Sequence, residues 1–158
     1  MLELLYTGGR LSMVLMVPKS PEGLPQVEQQ LSAASLHDLL QLLEPQKVMV
    51  TIPRWAMEVE LSLPDILKAM GMQDAFLLPP ADFSGMTGGK DLCISAVLHK
   101  AVLDVNEEGA EAAAATEVTM SRGLRRHPMF VADRPFLVMI RDRHTGGLLF
   151  LGRVVDPR

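Results

Sequence analysis

Short apolar runs, broken by glycine and proline, set the rhythm of the chain. Residues 2–6 and 11–17 flank Thr7-Gly8-Gly9-Arg10, which predicts a β-hairpin with a glycine turn. Pro18 ends the second run, and Pro21, Gly23 and Pro25 make a turn-rich link. Over residues 24–31 and 35–43 apolar positions recur at steps of three and four, as at Leu36, Leu39, Leu40 and Leu43, and predict two short amphipathic helices. Ser35 and Asp38 offer a loose capping box for the second. Residues 47–52 and 55–61 read as two strands with a kink at Pro53. Ser62 and Pro64 open a short helix over 62–70 that Gly71 closes. Pro79-Pro80, Asp82, Ser84-Gly85 and Gly88-Gly89 predict an irregular surface crossing, and residues 92–105 alternate as one long strand.

Three further strands follow at 129–132, 136–141 and 148–155, with a turn over 142–147. Strands outnumber helices, and the helices fall in two clusters instead of alternating with strands, which is an α+β pattern. The 158 residues, 48% of them hydrophobic, suffice for one folded domain and are too apolar for disorder. Lysine and arginine number 15 against 19 acids, a net charge of −4 with no basic field to attract nucleic acid. Cys93 is alone, so no disulfide within the chain and no Cys/His zinc cluster is expected. The chain has no 18-residue apolar run to span a membrane, and its first residues lack the basic start and small-residue cleavage site of a secretory signal. Nor does it contain a glycine-flanked serine elbow, an HExxH pair or a phosphate-cradling glycine loop, so neither enzymatic activity nor a cofactor is expected.

The chain is organised around Asn106, Glu107, Glu108, Gly109, Ala110, Glu111, Ala112, Ala113, Ala114, Ala115 and Thr116, followed by Met120-Ser121-Arg122-Gly123-Leu124-Arg125-Arg126. In extended form Ala110, Ala112, Ala114, Thr116 and Val118 share one small, mostly apolar face, and Glu111 and Glu117 lie on the other. Such a segment can enter a sheet with few clashes, because methyl side chains lose almost no rotamer entropy on burial. Gly109 supplies a pivot. The same alanines and glutamates also suit a solvent-facing helical turn capped by Asn106, and composition alone does not choose between the two.

Motifs choose. Phe130-Val131-Ala132-Asp133-Arg134-Pro135-Phe136 resembles the serpin signature, and residues 106–116 resemble the proximal hinge of an inhibitory serpin. Leu2-Glu3-Leu4-Leu5-Tyr6, Leu11-Ser12-Met13, Ala81-Asp82-Phe83-Ser84-Gly85-Met86, His99-Lys100-Ala101 and Leu149-Phe150-Leu151-Gly152 match in the same order. The resemblance implies the serpin fold, C-terminal part, over residues 1–158, with mixed sheets, a few short helices and a reactive-centre loop at about 107–129. It spans only the last two-fifths or so of a typical member and omits the third strand of the large sheet. The chain is therefore expected to be a fragment, an incomplete gene model or one piece of a larger assembly whose partner is the missing N-terminal part, with unpaired strand edges that favour aggregation.

For the complete molecule the resemblance implies an inhibitor that acts as a suicide substrate. The protease serine attacks the loop, and the severed loop inserts beside residues 92–105 before the acyl bond hydrolyses. The loop looks most like that of antiplasmin, which implies cleavage at Arg122-Gly123 and a trypsin-like serine protease as partner. Leu124, Arg125 and Arg126 are alternatives, Arg122-Gly123-Leu124-Arg125 also fits a furin-like site, and an ordinary solvated loop is the lesser reading of the arginines. By the same resemblance Glu107 pairs with Arg54 at the entry to the sheet, and His99 is a buried histidine that helps control sheet opening, or else a core histidine without that role. Secretion, with the signal in the missing part, is the family's usual course. Trp55 and the eleven methionines read as packing residues. The competing functions are a non-inhibitory carrier or chaperone serpin and an inactive truncated fragment.

Overall fold

In chain order the structure carries β1 (Leu2–Leu5), β2 (Leu11–Met16), α1 (Leu24–Gln30), α2 (Ala33–Gln41), β3 (Met49–Thr51), β4 (Trp55–Ser62), α3 (Pro64–Ala69), a 3-10 turn (Asp74–Phe76), α4 (Ser84–Thr87), β5 (Leu98–Val105), β6 (Met129–Val131), β7 (Phe136–Asp142) and β8 (Leu148–Val154). It is a computed structural model that describes residues 1–106 and 127–156. Two units are distinguishable, one of Met1–Trp55 with Val105–Arg158 and one of Ala56–Asp104. No helix among the described residues is long and apolar enough to cross a membrane.

The first unit is built on an antiparallel sheet of order β1-β2-β7-β8. Its two central strands are continuous apolar runs, so both of their faces must be covered. On one face Val14 pairs with Met139 and Met16 with Leu137, and these pack with Leu24 of α1 and Leu36 of α2. On the other, Leu15 pairs with Val138 and Met13 with Ile140, all at most 8% exposed. Each fully buried apolar side chain of this kind contributes about 1.5–3 kcal/mol. The predicted glycine turn closes the first hairpin. Gly8 and Gly9 take φ of +84° and +66°, and the Gly9 amide donates to the Tyr6 carbonyl at 2.9 Å. A second sheet pairs β3 with β6 in parallel, through Met49–Met129, Val50–Phe130 and Thr51–Val131.

Helix α2 begins two residues before its predicted start. Ser32 is extended and caps it, accepting from the Ser35 amide at 3.1 Å, while the Ser35 hydroxyl accepts from the Ser32 amide at 2.8 Å. The capping box is thus Ser32 with Ser35, not Ser35 with Asp38, because a serine hydroxyl at the fourth position makes the reciprocal bond usually made by glutamate.

In the second unit β4 pairs with β5. Helix α3 starts at Pro64 and not at Ser62, which completes β4, and its first flanking residue Leu63 still donates its amide to the Val97 carbonyl at 2.9 Å. Its end is as predicted. Gly71, at φ +103°, donates to the Lys68 carbonyl and Met72 donates to that of Leu67, the paired bonds of a Schellman motif. The crossing after Pro80 holds one helical turn, α4, where Asp82 Oδ1 accepts the Ser84 amide and Gly88 closes the turn at φ +82°. The long strand begins at Leu98 and not at Leu92, since the amide of Ile94 donates to the Ala75 carbonyl at 2.8 Å.

Phe136 is fully buried at the start of β7. Phe136→Ala is expected to lower the unfolding free energy by about 3–5 kcal/mol in urea titrations, whereas Ser32→Ala is expected to cost about 1 kcal/mol.

Candidate functional site

The described chain stops at Asn106 and resumes at His127. The return is anchored within a few residues. The Met49 amide donates to the Pro128 carbonyl at 2.9 Å, β6 adds its pairs with β3, and the amide of buried Ala132 donates to the Thr51 carbonyl at 2.9 Å. Arg134 then makes two bonds at once, Nε to Asp133 Oδ1 at 2.8 Å and a terminal nitrogen to the Lys19 carbonyl at 2.7 Å. The Arg134 guanidinium holds the Asp133 carboxyl below its ordinary range, and Asp133 raises Arg134 in turn. Phe136 follows, with Trp55 edge-on to it at 5.3 Å between ring centroids and 74° between planes. Trp55 thus packs as expected, although its buried indole N–H has no hydrogen-bond partner among the described residues.

The far end of β7 is fixed as firmly. Asp142 Oδ2 accepts from Arg10 Nε and a terminal nitrogen at 3.0 and 2.8 Å, and its Oδ1 accepts the His144 amide at 2.8 Å. The Arg10 bonds first, and the His144 amide after them, hold the Asp142 carboxyl below the usual carboxylate range. The predicted turn over 142–147 is therefore also a tie to the first hairpin. A residue 132 positions away carries no local sequence signal, so this partnership was not readable in advance. On the same side Ser12, fully buried, donates to Glu3 at 2.6 Å, and Arg141 approaches Glu3 at 3.6 Å.

Of the residues singled out from the sequence, Glu107, Glu108, Gly109, Ala110, Glu111, Ala112, Ala113, Ala114, Ala115, Thr116, Arg122, Gly123, Leu124, Arg125 and Arg126 lie outside the described residues, and so does the expected Glu107–Arg54 pair. Arg54 is exposed and immediately precedes β4. His99 is exposed in this chain, whereas the burial expected of it by resemblance belongs to the complete molecule. It shares a face of β5 with Ala101, Leu103 and Val105, and burial along that face grows toward Val105. His99 is the second residue of β5, whose one strand partner among the described residues is β4. On the opposite face Lys100 pairs with Glu58 of β4 at 2.5 Å. The methionines also divide. Met13, Met16 and Met139 are buried as packing residues, but Met49, Met70, Met72, Met86 and Met129 are exposed.

With this geometry in place the class is clear. Residues 1–157 match the family model described as "Serpin (serine protease inhibitor)", and the chain belongs to the serpin family. Its relatives include intracellular coagulation inhibitor 2 of Tachypleus tridentatus, 43% identical over 97% of this chain and 38% of the relative. The leukocyte elastase inhibitor of Homo sapiens is 42% identical over 99% of this chain and 43% of the relative. Among solved structures, native protease nexin-1 with heparin superposes with a TM-score of 0.82 at 30% identity over 98% of this chain and 40% of that one. Human thyroxine-binding globulin complexed with thyroxine gives 0.78 at 34% identity over 94% and 38%. The chain thus spans about two-fifths of the length of these relatives. Their names lend no support to secretion, since one is called intracellular.

Asp142 contributes stability that is fully present above the ordinary aspartate value of about 3.9 and is lost as pH falls through its lowered value. Asp142→Asn is expected to lower the melting temperature at pH 7, and the gap from the unsubstituted chain is expected to close on acidification below pH 4. Melting curves across pH check this, and a gap that persists unchanged would contradict it.

Proposed function

We propose that this chain is the C-terminal part, residues 1–158 of one serpin domain, of an inhibitor that traps a trypsin-like serine protease as a suicide substrate. The observation that carries the reading is the run of small side chains at Ala110, Ala112 and Ala114, placed directly after β5 and ahead of an anchored β6. A peptide with so little bulk on its inward face enters a sheet without steric cost, and β5 is the strand it would join. Protease serine forms an acyl bond to the loop at Arg122, with Gly123 as the first residue of the leaving strand. Insertion then forms on the order of ten ladder hydrogen bonds, each worth roughly 1 kcal/mol net, enough to distort a marginally stable protease site before deacylation. Arg54 and Glu107 secure the entry point as an ion pair, and His99 sits on the sheet that must open.

The arginine at the scissile bond directs the inhibitor to a protease whose specificity pocket holds an acidic group. Arg125 and Arg126 compete for that role, and resemblance to the antiplasmin loop favours Arg122. A carrier function has one observation in its favour, the likeness to thyroxine-binding globulin. Overall fold does not separate the two functions, since inhibitor and carrier relatives superpose comparably on this chain. The hinge favours the inhibitor, because the small side chains of Ala110, Ala112 and Ala114 suit a segment that inserts.

Incubating the complete protein with trypsin is expected to give a covalent complex that survives boiling in detergent, and cleavage without a complex would defeat the reading. Arg122→Ala is expected to slow complex formation by roughly a hundredfold or more, with Arg125→Ala and Arg126→Ala nearly unchanged. The same assay on the 158-residue chain separates an active part from an inactive fragment.

A further inference from the structure

Two of the exposed methionines are register partners. Met49 of β3 and Met129 of β6 stand opposite each other in the parallel pair, 56% and 67% exposed. Parallel partners project to the same face, and neighbouring strands lie about 4.8 Å apart, so the two thioethers sit side by side in reach of solvent. Their sheet is short, three residue pairs long, flanked by the Met49–Pro128 and Ala132–Thr51 backbone bonds. In so short a ladder one cross-strand pair is a large share of what holds β6 in place.

We propose that Met49 and Met129 form an oxidation site at which a hydroperoxide converts both side chains to sulfoxides and loosens β6 from β3. Each sulfur gives up two electrons and takes the distal peroxide oxygen. The O–O bond breaks, an S–O bond forms, and the hydroperoxide leaves as its alcohol. Two flexible apolar groups at paired positions become two polar ones whose dipoles compete for water, which weakens their cross-strand pairing. Met13 and Met139, 6% and 0% exposed, are shielded from the reagent. Met70 and Met86, each 78% exposed, are oxidised alongside the pair but lie on α3's end and on α4, with no strand to loosen. The inference does not depend on the loop being a protease bait, although β6 is where that loop returns.

The test treats the chain with tert-butyl hydroperoxide, maps sulfoxides by peptide mass spectrometry and follows amide exchange. Met49 and Met129 are expected to oxidise with Met70 and Met86 and well before Met13 and Met139. The Met49 and Ala132 amides of the oxidised chain are expected to exchange about 1.5- to 5-fold faster, the range set by a cross-strand pair. A Met49→Leu/Met129→Leu variant keeps volume and apolarity, and its exchange is expected to be unchanged by the same treatment. Met49 and Met129 staying reduced until Met139 reacts would overturn the proposal. So would unchanged exchange after oxidation, or equal acceleration in the leucine variant.

Discussion

The pairing of β2 with β7 is the constraint on which the first unit depends. Six register pairs run from Leu11–Asp142 to Met16–Leu137, and both faces are closed to water along most of that length. A slip of one residue would exchange the sets Val14, Met16, Leu137, Met139 and Met13, Leu15, Val138, Ile140 between faces that are covered by different neighbours. The ends are pinned as well, by Arg10 on Asp142 at one and by Phe136 against Trp55 at the other. With β7 fixed, the corner Asp133-Arg134 and the short strand β6 have little freedom, because Arg134 is tied to the Lys19 carbonyl and Ala132 to that of Thr51.

That chain of fixtures holds the described chain where it resumes after residue 126. The fixtures are ordinary parts: a parallel strand of three residues, an arginine bonded to two separate acceptors and a buried aromatic ring. The ion pair at Asp133–Arg134 is exposed enough that its charge attraction is small. Its value is geometric, since the same guanidinium reaches a backbone carbonyl on a distant turn.

Much of this was legible from the residues. The glycine turn after Tyr6, the Schellman close at Gly71 and the continuous apolar runs of β2 and β7 are local signals, and each is found where it was read. The start of α2 moved for a local cap, Ser32 with Ser35, and two other boundaries moved for partners remote in sequence. Ile94 turns to Ala75 in place of a strand neighbour, and Leu63 stays bonded to Val97 before the helix can begin. His99 was assigned to the interior by resemblance to whole serpins, and this chain spans about two-fifths of its relatives' length. The same proportion bears on β8, whose Leu148, Leu149, Phe150 and Leu151 are 38–58% exposed. The arginine ties at Asp142 and Lys19 had no signal at all, because polar side chains bridging more than a hundred residues leave no periodicity.

The central claim is that the severed loop becomes a strand beside β5. The most direct measurement is the melting temperature of the complete protein before and after a single cut within residues 120–126. Insertion completes a sheet and adds ladder hydrogen bonds, so the account predicts a large upward shift, with the cut segment protected from hydrogen exchange. An unchanged or lower melting temperature, with the severed segment exchanging as freely as before, would contradict it.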